Sequence, residues 1–344
     1  MINKKQTISF GLLLILLLAE PGCTSEISRK EKTSIPNAIT TEPQIVSVTA
    51  SVKNEITYFG TTDTISDVLH HPLFSGFGQF VLPLELGYDE GMPLSRISAL
   101  LPYHNNVNPQ AAADTMNHML DDVAAGNTIF YPIYEDAKMQ EHTGLFFFRG
   151  KPGAPFAIIN AGGGFSYVGS IHEGFPLAIQ LAAHGYNAFV VQYRTGGAEV
   201  ACEDLAAAIS FVFAHADALK ISTKGYSVWG GSAGARMAAY LGSYGPAAYG
   251  GADLPRPAFV VMQYTSHSEY TKKDPPTFAI IGQNDGIASP AIMEQRINSL
   301  KSVGIDVEFH KFPNLGHGFG LGIGTSAEGW QNDAMAFWEK HLND

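Results

Sequence analysis

The chain has 344 residues, 45% of them hydrophobic and 15% charged, a balance that builds a large buried core and excludes an intrinsically disordered protein. Thirty-two acidic residues against 21 basic ones leave a formal net charge of −11. The basic residues form no stripe able to follow a phosphate backbone, which argues against nucleic-acid binding.

The amino terminus reads as a targeting signal. Lys4 and Lys5 form a basic region, residues 8–19 form a mostly apolar run of 12, and Pro21-Gly22 precedes Cys23, the order of a secretory signal. A run of that length is too short for a bilayer, which needs about 20 apolar residues. The stretch resembles a bacterial lipoprotein signal peptide, with Gly22 as the small residue before the lipidated Cys23, although Glu20 and Pro21 depart from the usual aliphatic and small residues. Residues 1–22 are thus expected to be a signal peptide and Cys23 a lipid-attachment site. Secretion after cleavage nearby and an uncleaved anchor are the alternatives, and each exports the protein, as a membrane-anchored lipoprotein or as a periplasmic or secreted one. Once Cys23 is lipidated or removed, Cys202 has no disulfide partner. It falls in the apolar-periodic segment 200–214 and reads as a small buried helix residue.

Residues 23–55, rich in Ser, Thr, Lys and Glu, are expected to form a flexible tether. Residues 56–126 are too apolar for a linker and read as an amino-terminal extension packed on the main domain, with an amphipathic helix at 109–125 presenting Met116, Met119 and Leu120 on one face. The pattern becomes regular across 127–344. Strands at 128–134 and 144–149 suit an antiparallel pair at a sheet edge. Strands at 155–160, 188–193, 226–229, 258–264, 277–282 and 307–312 then alternate with helices at 172–184, 202–218, 233–241, 290–303 and 327–341. Continuous apolar strands between amphipathic helices predict an α/β fold: a mostly parallel sheet covered on both faces.

The stretch that organises this pattern is Gly230-Gly231-Ser232-Ala233-Gly234, a Gly-x-Ser-x-Gly sequence where a short apolar strand gives way to an alanine-rich helix. There a serine is held on a sharp turn at the carboxyl edge of the sheet, above a helix amino terminus. Ligands of such sheets bind at that edge, so the polar residues that directly follow strands are the ones to examine. They are the loop Ala161-Gly162-Gly163-Gly164-Phe165, Ser232, Asp285 in Gln283-Asn284-Asp285-Gly286, and His317 in Gly316-His317-Gly318. A serine hydroxyl needs an imidazole to take its proton and a carboxylate to hold the imidazole's tautomer. His317 and Asp285 supply both. Asp306 and Asp274 precede their strands, and His310 falls inside one. His172 and His267 follow strands but lack the glycine-flanked setting. A dinucleotide fingerprint starting at Gly162 fails at Tyr167, and no phosphate-loop or His-Glu-x-x-His sequence occurs, so no cofactor or metal is expected.

With these four motifs in order, the segment from about residue 128 onward resembles an α/β-hydrolase of the esterase/lipase group, close to the hormone-sensitive-lipase-like and acetyl-esterase-like enzymes. The resemblance implies a Ser232–His317–Asp285 triad and an oxyanion hole made by the N–H groups of Gly163, Gly164 and Ala233. The family's His-Gly-Gly-Gly loop here carries Ala161 in place of the histidine that braces it, so that support must come from elsewhere. Tyr193-Arg194 and Glu203-Asp204-Leu205 match the family's structural ties. The implied reaction is hydrolysis of short-acyl, acetyl-type esters through an acyl-enzyme, on a small-molecule or acetylated saccharide ester. Phe165, Tyr167, Met262 and Tyr264 are the expected pocket lining. A serine peptidase, an acyltransferase or a non-catalytic surface binding protein are the alternatives, and the sequence does not specify the oligomeric state.

Overall fold

The structure, a computed structural model, describes residues 56–342. The expected signal peptide, Cys23 and the tether lie outside the described residues.

Eight strands form one sheet: β1 (Phe130–Tyr131), β2 (Gly144–Phe148), β3 (Pro155–Asn160), β4 (Asn187–Gln192), β5 (Ser222–Gly231), β6 (Phe259–Gln263), β7 (Thr277–Gly282) and β8 (Val307–Phe312). Their order is β1-β2-β4-β3-β5-β6-β7-β8. β1 and β2 are antiparallel at one edge, β2 meets β4 antiparallel, and every later pair is parallel. The helices are α1 (Ile65–Leu69), α2 (Pro109–Ala124), α3 (Ala137–Gln140), α4 (Ser170–Glu173), α5 (Phe175–Ala183), α6 (Ala198–Ala214), α7 (Ala216–Leu219), α8 (Ala233–Tyr244), α9 (Pro290–Ser302) and α10 (Trp330–His341).

Every residue of β4, β6 and β7 is buried, which requires cover on both faces of the sheet. Side chains alternate along a strand, and β5 shows where its neighbours point. Trp229 packs against Trp330 and Trp338 of α10, at ring separations of 6.3 and 6.2 Å. The next residue, Gly230, abuts the backbone of Gly234 in α8. α8 and α10 therefore lie on opposite faces, with β5 between them.

Local departures from the expected elements have local causes. The first strand is cut to Phe130–Tyr131 because Pro132 follows and has no N–H for a ladder. The helix expected over 172–184 breaks at Gly174 into α4 and α5, with Pro176 in the first turn of α5. The helix expected over 202–218 begins earlier and breaks at His215 into α6 and α7. α10 starts at Trp330, after Gly329 takes a φ of 89°. β5 begins at Ser222, four residues before the expected strand, through a polar segment that pairs with Pro155 across a register shift.

Residues 56–126 share the core with the sheet. Phe77 and Phe80 stack on Phe130 at 5.6 and 5.4 Å, which covers the β1–β2 edge. α2 is capped by the Asn108 side chain and buries Ala112, Ala113, Met116, Met119 and Leu120. The segment just before it, residues 101–106, reaches the carboxyl edge of the sheet, where the Asn105 N–H donates to Gly318 O at 3.0 Å.

The turn from β5 into α8 tolerates no side chain at its glycines. A Cβ on Gly234 would collide with Asn160 O of β3. Gly234→Ala is therefore expected to destabilise the protein by about 3 kcal/mol, measured as a lower midpoint of urea unfolding with an unchanged slope.

Candidate active site

Ser232 sits at that turn with φ 51° and ψ −111°, a combination a side chain adopts only when its surroundings impose it. Two contacts impose it here. The Ser232 N–H donates to Gln263 O of β6 at 2.9 Å, and Gly230 and Gly234 let α8 close directly on the strand.

Parallel strands deliver their following loops to one edge, and the loops after β7 and β8 meet at the serine. His317 Nε2 lies 2.9 Å from Ser232 Oγ, and its Nδ1 lies 2.8 Å from Asp285 Oδ2. The His317 and Asp285 side chains are buried while Ser232 stays partly exposed. The other carboxylate oxygen of Asp285 accepts the N–H groups of Ile287 and Ala288 at 2.9 and 2.7 Å. An ionised carboxylate only accepts, so Nδ1 of His317 carries a proton and donates it to Asp285. Nε2 is left with its lone pair toward the serine O–H. The ring packs edge-on to Tyr264 at 5.0 Å, and the backbone of His317 is held by Asn105, whose Nδ2 donates to His317 O at 2.7 Å.

The glycine loop after β3 completes the site. A Cβ on Gly162 would come within 2.9 Å of Ser232 Cβ, so the loop lies directly against Ser232. Gly169 N–H donates to Gly162 O at 2.8 Å and Ser166 N–H to Gly163 O at 3.0 Å. Gly163 and Gly164 have φ of 141° and 63°. The N–H groups of Gly163, Gly164 and Ala233 have no protein acceptor among the described residues.

The fold agrees with known structures. An α/β-hydrolase enzyme, MGS-M1, from a Medee basin deep-sea metagenome library is 23% identical, with a TM-score of 0.53 over 62% of this chain and 97% of that one. The chain has the α/β-hydrolase fold. An acetyl ester-xyloside bifunctional hydrolase from Caldicellulosiruptor lactoaceticus shares this fold at 21% identity and a TM-score of 0.53, over 61% of this chain and 95% of the other. A sugar hydrolase from Lactococcus lactis gives 19% and 0.53, over 62% and 98%. Within the sequence, the BD-FAE family profile matches residues 149–249 and the prolyl oligopeptidase family profile matches 249–344. The first span holds the glycine loop and Ser232, and the second holds Asp285 and His317. Among proteins of curated function, none matches the chain.

The pocket lining expected from sequence needs correction. Tyr167, Met262 and Tyr264 are fully buried and offer a substrate no surface. Tyr264 donates its hydroxyl to Glu173, and Tyr167 packs behind Tyr103 at 5.7 Å. Only Phe165 is partly exposed. Tyr103, in the extension, is exposed and lies over Gly164. Sequence reasoning passed over Tyr103, His104, Asn105 and Glu173. For Glu173 the signal was an acidic residue just ahead of the apolar run from Phe175 to Ala183; residues 103–105 carry no periodicity that would have singled them out.

The rival side chains are engaged elsewhere. Cys202 is buried, and burial pushes its thiol up to about 12. Asp274 pairs with the buried Arg296 at 2.8 Å, Asp306 pairs with Lys340, and His310 faces Glu308. Arg194 is clamped by Glu203 and Asp204. Nε2 of His172 contacts Gly318 O at 3.1 Å, and burial lowers the ring to about 4. His267 packs on Tyr240 at 4.7 Å; burial first, then the Arg296 and Arg236 charges, lower it to about 3.

For a histidine so depressed, the unfolded chain binds a proton below its ordinary pKa near 6.5 while the folded protein stays neutral. Stability then falls with pH between about 6.5 and 3, by about 1.4 kcal/mol per pH unit from this one group. His267→Asn is expected to flatten the decline of Tm between pH 6.5 and 4 in thermal unfolding. An unchanged slope would contradict the assignment.

Proposed function

We propose that the protein is a serine carboxylesterase acting on short-acyl esters. The observation that carries this reading is the continuous relay from Asp285 through His317 to Ser232, at 2.8 and 2.9 Å, beside three free amides. Asp285 fixes the His317 tautomer, so Nε2 accepts the serine proton as Oγ attacks the ester carbonyl. The carbonyl oxygen becomes an oxyanion and takes hydrogen bonds from Gly163, Gly164 and Ala233, each worth about 3 kcal/mol in the transition state. Protonated His317 returns the proton to the departing alcohol, which leaves an ester on Ser232. Water then repeats the sequence, giving up its proton to Nε2 and releasing the acid.

The preference for a short acyl group is supported by the solid packing of Tyr167, Met262 and Tyr264 around the site. An acetylated saccharide as natural substrate is an extension by analogy, supported only by the names of the fold relatives from Caldicellulosiruptor lactoaceticus and Lactococcus lactis. One observation favours a second reading, peptide hydrolysis: the prolyl oligopeptidase family profile matches residues 249–344. We further propose that the enzyme is exported and attached to a membrane through Cys23.

Fluorophosphonate labelling and hydrolysis of nitrophenyl acetate test the first reading. Ser232→Ala is expected to abolish labelling and to lower kcat/KM by about 10⁴-fold or more. Across nitrophenyl esters, kcat/KM should be highest for acetate and fall toward octanoate. Faster cleavage of a peptide amide than of the acetate would transfer the assignment to the peptidase. For the anchor, metabolic labelling with palmitate should mark the wild type and not Cys23→Ala.

A further inference from the structure

A carboxylate is buried immediately behind the serine turn, and the relay does not use it. The Glu173 side chain is fully excluded from solvent. Its Oε2 accepts the Gly162 N–H at 2.5 Å, and its Oε1 accepts the Tyr264 O–H at 2.7 Å. A Cβ on Gly231 would run into this carboxylate, and one on Gly162 would come within 3.0 Å of it. Glu173 therefore lies against both the residue before Ser232 and the first glycine of the oxyanion loop.

Its counter-group comes from the amino-terminal extension. His104 Nε2 stands 2.9 Å from Glu173 Oε1, with the ring buried, as a close polar contact without hydrogen-bond alignment. On the other side of the ring, His104 Nδ1 is 2.9 Å from Tyr167 Oη, which itself accepts the Tyr103 N–H at 3.1 Å. The Tyr167 hydroxyl thus holds the ring by Nδ1, with Nε2 beside the carboxylate. Tyr193 ties down the next link by donating to Ala161 O at 2.6 Å. Burial alone would raise the Glu173 carboxyl. His104, the Gly162 amide and Tyr264 outweigh it and hold the group at about 2, so it is ionised wherever an esterase works.

Burying a charge costs several kcal/mol before its partners offset it, and one of those partners is the first amide of the glycine loop. Glu173 fixes the Gly162 amide, Gly169 fixes the Gly162 carbonyl, and the Gly163 N–H follows in the chain. We propose that Glu173 and His104 are positioning residues that hold the oxyanion loop in register with Ser232, which makes residues 101–106 of the extension an obligatory part of the active centre. They stand where the glycine loop, with Ala161 at its head, lacks a brace of its own. This inference rests on the esterase reading.

The test compares the wild type with Glu173→Gln, His104→Ala and Tyr167→Phe, each normalised to sites titrated by a fluorophosphonate. kcat per titrated site is expected to fall about 100-fold in the first two, the size of effect that follows about 1 Å of misplacement. KM should change by less than about threefold, because the ground-state carbonyl draws little on the oxyanion donors. The Glu173→Gln/His104→Ala double variant should be no slower than the worse single one, since both changes release the same loop. Tyr167→Phe removes the hydroxyl that holds His104 and accepts the Tyr103 N–H, a smaller change that keeps the fold testable if the other variants unfold; it should lower kcat about tenfold. Wild-type kcat per titrated site in Glu173→Gln or in Tyr167→Phe would overturn the inference while leaving the esterase reading intact. A wild type that neither labels nor hydrolyses esters would sink both.

Discussion

Everything at the carboxyl edge of the sheet depends on how closely α8 approaches β3 and β5. Ser232 takes its left-handed backbone, at a cost of about 1–3 kcal/mol, only because Gly230 and Gly234 bring helix and strand backbones into contact and Gln263 accepts the serine amide. The sheet order does the rest. β5 lies between β3 and β6, so the glycine loop arrives from one side, while β7 and β8 carry Asp285 and His317 in from the other. The core that offsets the strain runs through Trp229, Trp330 and Trp338 on the face opposite α8.

The same amino acid meets different fates around this edge, according to its partners. His317 has a carboxylate on one nitrogen and a hydroxyl on the other, and this polarises it for proton transfer. His172 is partly buried and His267 buried, neither with a carboxylate on the ring, and desolvation lowers both. The two buried carboxylates divide likewise. Asp285 is satisfied by a turn of its own loop. Glu173 draws its partners from the glycine loop, from β6's end and from the extension.

Much of this was legible in the sequence because parallel strands announce themselves. An apolar run followed at once by a small or polar residue marks the carboxyl edge, and Ser232, Asp285 and His317 each stand just after such a run. What stayed hidden is whatever depends on packing between segments far apart in the chain. Tyr167 and Tyr264 sit beside catalytic motifs, yet local spacing does not reveal that their hydroxyls are bound inward. His104 meets Glu173 only because the extension folds back over the sheet edge, a contact with no periodicity on either side.

The hydrogen bond from Asn105 to the carbonyl of His317 joins residues 212 positions apart. The position of the His317 ring is therefore set by both ends of the described chain at once, by the loop after β8 and by a carboxamide of the extension, and no fragment lacking either end holds the ring in the same place.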